Sequence, residues 1–106
     1  MESYRDILKK LVKFAKREYQ EKKPNSVKVL RTKSVRFLSL GGALKAYVSR
    51  ESQNPRYMVI VEYKEQFRLY LFTKEGVLIN GINQVKDFKF IKELQKNTIT
   101  EYKLPK

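Results

Sequence analysis

The chain has 106 residues, with 24 Lys and Arg against 11 Asp and Glu, no His and no Cys, for a formal charge of +13. That length suits one domain, residues 1–106, with one modest hydrophobic core. The missing His and Cys exclude a His-assisted nucleophile, a thiolate zinc site and a disulfide scaffold, and no apolar run approaches the roughly 20 residues of a membrane span.

Residues 3–22 are predicted as a helix. Ser3 is placed to cap it, with Asp6 in the reciprocal position of a capping box. Tyr4, Ile7, Leu8, Leu11, Phe14, Ala15 and Tyr19 recur at three- and four-residue spacing and define an apolar face. Lys9, Lys10, Lys13, Lys16 and Arg17 define the opposite one. Pro24 and Asn25 end the helix, because the residue before a proline is pushed out of helical geometry.

From about residue 27 to residue 80 the hydrophobic period falls to two, which predicts an antiparallel meander of four to five strands. Val27 and Val29, Val35 and Phe37, and Leu44, Ala46 and Val48 alternate with polar residues, with a turn at Gly41-Gly42 and a loop over 51–56. Tyr57 to Lys64 is rich in β-branched residues. A tight turn at Glu65 and Gln66 leads into Phe67 to Thr73, and Lys74-Glu75-Gly76 turns into Val77 to Ile79. Asn80-Gly81, a strong hairpin dipeptide, is expected to end the sheet. A short second helix is predicted over about 87–97, capped by Asp87, with Phe88, Ile91 and Leu94 on its apolar side. The tail 98–106 alternates weakly, as an edge strand or an arm. Helix, meander, helix is an α+β order with helices packed on a sheet.

Parity sorts the strand faces in two sets. Leu44, Ala46, Val48, Val59, Val61, Leu69 and Leu71 are expected beneath helix 1. Lys45, Tyr47, Met58, Ile60, Arg68, Tyr70 and Phe72 are expected on the other side, where aromatics mix with cations.

Eleven cations fall within positions 9–36, with Glu18 and Glu21 the acids in that span. Such a footprint suits phosphate contacts, which supply affinity and register without base information. The expected function is therefore that of a small, non-catalytic nucleic-acid-binding protein. It would read backbone and shape of DNA or RNA, as a monomer or homodimer, through Lys9, Lys13, Lys16, Arg17, Lys23, Arg31, Lys33 and Arg36. Tyr47, Arg68 and Tyr70 are candidate stacking groups should the second sheet face be open. No cofactor, metal or membrane partner is expected. Lys9, Lys10 and Lys13 interrupt the apolar stretch that a signal peptide would need, so a cytoplasmic location is expected. The alternative is an inhibitor or adaptor, of phage or mobile-element type, that docks on an acidic partner protein.

Val59-Ile60-Val61-Glu62-Tyr63-Lys64, an apolar strand ending in Glu-x-Lys, resembles the second half of the PD-(D/E)xK nuclease motif. That resemblance implies an Mg²⁺-binding carboxylate at Glu62 and a water-activating Lys64. The preceding predicted strand, Ala43 to Arg50, holds no Asp or Glu to serve as the second ligand. A degenerate, catalytically inactive relative of that fold is the form the resemblance allows.

Overall fold

The computed structural model describes residues 3–32 and 56–106. The predicted strands around Val35–Phe37 and Leu44–Val48, the Gly41-Gly42 turn, most of the 51–56 loop and the site candidates Lys33, Arg36 and Tyr47 lie outside the described residues.

Helix α1 spans Tyr4–Lys22 and starts on the predicted capping box. The Asp6 amide donates to Ser3 Oγ at 3.2 Å, and the Ser3 amide donates back to Asp6 Oδ2 at 3.3 Å. These bonds satisfy two of the amides that every helix start leaves unpaired. They favour the ionised form, so Ser3 holds the Asp6 carboxyl below its ordinary pKa, with smaller help from Lys9 and Lys10. The helix ends where Lys23 turns left-handed (φ 48°, ψ 51°) and donates its amide to the Tyr19 carbonyl.

Five strands follow: β1 Ser26–Thr32, β2 Tyr57–Glu62, β3 Phe67–Phe72, β4 Leu78–Val85 and β5 Thr98–Leu104. A second helix, α2, spans Phe88–Lys96 between the last two. All neighbouring pairs are antiparallel, in the order β4-β3-β2-β1-β5. The α+β class predicted from the sequence is the class of the structure. The first four strands form the expected meander. The tail forms a fifth strand on the β1 edge, after α2 has crossed the sheet from the β4 edge. Four strand spacings at about 4.8 Å make that crossing roughly 19 Å. A nine-residue helix supplies about 13 Å of it at 1.5 Å per residue.

The central strands are buried on both faces. Ile7, Leu11 and Ala15 of α1 close over Val27, Val29, Tyr57, Val59, Val61 and Phe72. On the opposite face, Ile91 and Leu94 of α2 close over Leu30, Met58, Ile60, Phe67, Leu69 and Leu71. The predicted alternation within β2 and β3 is correct, but the faces were joined wrongly across the hairpin. Val59 pairs with Tyr70 and Ile60 with Leu69. Paired residues share a face, so Tyr70 and Phe72 lie under α1, while Leu69 and Leu71 lie under α2.

Asn80-Gly81 is also corrected: β4 runs through it. Gly81 sits directly opposite Tyr70, and a Cβ there would come within 3.2 Å of the tyrosine ring. The glycine leaves room for that ring within the strand. The turn before β4 is the predicted one, with Gly76 at φ +78° and Thr73 Oγ1 accepting from the Glu75 and Val77 amides.

In α2 the Asp87 cap holds, its carboxylate accepting from the Phe90 amide at 3.0 Å. Ile91 and Leu94 are buried as predicted, but Phe88 is 55% exposed and meets Phe67 edge-on with ring centres 5.4 Å apart. The partly buried aromatic of the helix is Phe90.

Because Leu11 and Leu94 fill opposite faces of the sheet, Leu11→Ala and Leu94→Ala should each cost about 2–5 kcal/mol. In the double variant the losses should add within about 0.5 kcal/mol. Urea denaturation of the four proteins measures this; strong coupling would contradict a sheet with two separately packed faces.

Candidate nucleic-acid interface

The amphipathic pattern of α1 fixes what faces outward. Once Ile7, Leu11 and Ala15 turn to the sheet, 3.6 residues per turn places Lys9, Lys13 and Lys16 along the solvent side. All three are exposed. They line a groove between α1 and the edge strand β5. Leu8, Val12 and the β5 residue Tyr102 form its floor, and Arg5, Lys9, Lys13 and Lys16 form its rim. The groove is open to solvent, offers about 500 Å³, and its lining contains no carboxylate.

The other predicted site residues are placed differently. Arg17 is exposed on the same helix but does not line the groove, and Lys23 stands at the helix C-cap. Arg31 is engaged elsewhere: its Nε donates to Glu101 Oε1 at 2.8 Å, and its guanidinium lies 5.8 Å from the centre of the Tyr4 ring. That arrangement ties the start of α1 to β1 and β5. Burial acts to raise the Glu101 pKa, but hydrogen bonds from Tyr4 and Arg31 outweigh it and hold the carboxyl below its ordinary value.

Tyr70 and Arg68 do not form an open stacking platform. The Tyr70 ring meets Phe14 edge-on at 4.9 Å beneath α1. Its hydroxyl donates to Glu18 Oε1 at 3.0 Å and accepts from Lys22 at 3.3 Å and Arg68 at 3.2 Å. Glu18 Oε2 lies 3.1 Å from Lys22 Nζ, an ion pair without hydrogen-bond alignment. Burial acts against the Lys22 ammonium, yet its bonds to Glu18 and Tyr70 hold its pKa above that of an ordinary lysine. This cluster fastens the end of α1 to β3.

The positive charge is not confined to α1. Lys89, Lys92 and Lys96 are exposed on α2, across the sheet, where Glu93 lies 3.5 Å from Lys96. Among the described residues, Lys13, Lys16 and Arg17 take part in no ion pair.

Glu62, the carboxylate of the nuclease-like segment, accepts from Ser26 Oγ at 3.0 Å. Among the described residues no group of three or more His, Cys, Asp or Glu could hold a metal ion. None of their helices is long and apolar enough to cross a membrane. No protein-family model, curated protein or solved structure matches the chain.

Sequence reasoning missed Arg5, Val12 and Tyr102. Val12 sits at the margin of the apolar stripe, and Tyr102 reaches the groove only because β5 pairs with β1.

Because the folded-state pKa of Glu101 is depressed, its contribution to stability is present above the ordinary carboxylate value of about 4.3. It is lost as pH falls through the lower folded value. Glu101→Gln should therefore be less stable than the native chain near pH 6, with the gap closing towards about pH 3. Urea midpoints across that range report it; a gap independent of pH would show that the carboxylate charge is not what stabilises.

Proposed function

We propose that the protein is a non-catalytic nucleic-acid-binding protein that holds the phosphate backbone along the outer side of α1. The observation that carries this reading is the groove rim: Arg5, Lys9, Lys13 and Lys16 on consecutive turns, with no acid among the lining residues. A polyanion laid along this rim meets cations about 4.5–6 Å apart on the helix axis. Lys13 and Lys16 give up no internal partner on binding, whereas Arg31 and Lys22 would have to leave Glu101 and Glu18. The binding set therefore becomes Arg5, Lys9, Lys13, Lys16 and Arg17. Arg31 acts as a structural residue.

Phosphate contacts of this kind release counterions, so affinity falls steeply with salt. A second reading, an acidic partner protein, is favoured by one observation on the other face. The exposed Phe88 lies over a shallow depression lined also by Phe67, Ile91, Lys92 and Lys96. An aromatic with cations beside it suits a protein interface, but Lys96 there has its charge partly met by Glu93.

With about five phosphates neutralised, log K should fall against log salt with a slope of roughly −4. Between about 50 and 200 mM salt that is a loss of at least a hundredfold. Lys13→Glu with Lys16→Glu should abolish binding of a fluorescent oligonucleotide without changing the circular dichroism. Absence of binding at low salt would remove the reading. Unchanged affinity in the double variant would move the contact surface off α1.

A further inference from the structure

We infer that the groove between α1 and β5 seats an unpaired nucleobase against Tyr102, so that the ligand is single-stranded nucleic acid. This inference rests on the nucleic-acid reading above and adds what the cations alone do not specify.

Phosphate binding requires only the rim. It makes no use of the apolar floor, where Leu8 and Tyr102, both packed in part against the core under α1, stand beside Val12 at the groove surface. A ligand that fits both parts must carry an apolar, planar group a short distance from its anionic charges. A nucleotide in a single strand has that chemistry, since an unstacked base offers a π face to an aromatic side chain while its flanking phosphates remain outside. In a duplex the base faces are covered by their neighbours, and only the phosphates would reach the protein.

Tyr102 is suited to the role. It is half-buried, which orders the ring, yet it lines the open groove. It stands opposite Val29 in the sheet, where packing holds its backbone. Lys106 Nζ lies over the ring, 5.3 Å from its centre, a cation–π contact that a base stacking on that face would displace. The floor supplies few polar groups for reading base edges, so recognition there should be tolerant of sequence.

An extended acidic peptide is the competing occupant of a groove between a helix and an edge strand. That mode depends on a regular strand edge for main-chain pairing. Here the β5 ladder shifts register opposite Val29 and Leu30, leaving Glu101 as a bulged residue. A bulge of this kind twists an edge and discourages strand addition. The geometry therefore favours the base over the peptide.

The test uses fluorescence anisotropy with the full chain and four probes at one salt concentration. They are an oligothymidylate of about 12 nucleotides, an abasic strand of the same length, a duplex of that length and an acidic peptide of equal charge. One stacked base should make the oligothymidylate bind about 5- to 150-fold tighter than the abasic strand. Tyr102→Leu, which keeps apolar volume but removes the π face, should bring that ratio close to one. Photocrosslinking of a strand carrying 4-thiothymidine to the native chain checks the site without a variant, and the adduct should map to Tyr102 or the adjacent α1 residues. Equal affinity for base-bearing and abasic strands, tighter binding of the duplex, or an adduct elsewhere would overturn the inference while leaving phosphate binding intact. Tighter binding of the peptide would overturn it in favour of a protein partner. Failure of both strands and the duplex to bind would remove the nucleic-acid reading itself.

Discussion

Burial of the central strands on both faces is the constraint on which the rest of the structure depends. Val59 and Val61 point to one helix, and Met58 and Ile60 of the same strand point to the other. A strand that is apolar on both sides must be sandwiched, so the chain needs a helix above the sheet and another below it. Each helix then has one face committed to the core. In α1 the outward side is left for Lys9, Lys13 and Lys16, and their alignment follows from the burial of Ile7, Leu11 and Ala15. The cationic rim is in this sense a by-product of core packing that the charge of the chain has exploited.

The same constraint sorts the cations into two kinds. A formal charge of +13 works against compactness, and the fold places its opposing charges where they fasten elements together. Glu101 holds Arg31 at the start of α1, and Glu18 joins Lys22 and Tyr70 at its end. Tyr70 and Arg31 are thereby used in holding the helix to the sheet. In the middle of α1, between these two attachments, Lys13 and Lys16 take part in no ion pair among the described residues. Lys89 and Lys92 lie beyond the sheet on α2, so among the described residues cations stand on both helices, each beside an open groove with an aromatic in its lining.

Much of this was legible in the sequence. The capping box at Ser3 and Asp6, the apolar stripe of α1, the β-branched run of β2 and the Asp87 cap rest on local chemistry, which a sequence displays directly. The faces of the sheet were harder. Period-two alternation sorts residues within a strand but does not say how the next strand joins it. The four-residue connection 63–66 between β2 and β3 sets an odd-numbered residue of one against an even-numbered residue of the other, which brings Tyr70 beside Val59. Asn80-Gly81 misled because the glycine serves a ring on the neighbouring strand, a non-local requirement. β5 was obscured by its own bulge at Glu101, which breaks the alternation between Thr100 and Tyr102. Lys9, Lys13 and Lys16 of the candidate site's rim were readable from helical spacing alone, whereas Arg5 was not. The floor was not readable either, because Tyr102 meets Leu8 and Val12 only through a strand pairing that spans most of the chain.

The most direct test of the account is a ¹H–¹⁵N correlation spectrum recorded while a short single-stranded oligonucleotide is titrated into the labelled protein. Amide shifts should concentrate on α1 between Arg5 and Arg17 and on β5 around Tyr102, with α2 little changed. Shifts centred on Phe88 and Lys92 instead, or spread evenly over both helices, would contradict the claim that core packing on one face of the sheet creates the binding surface.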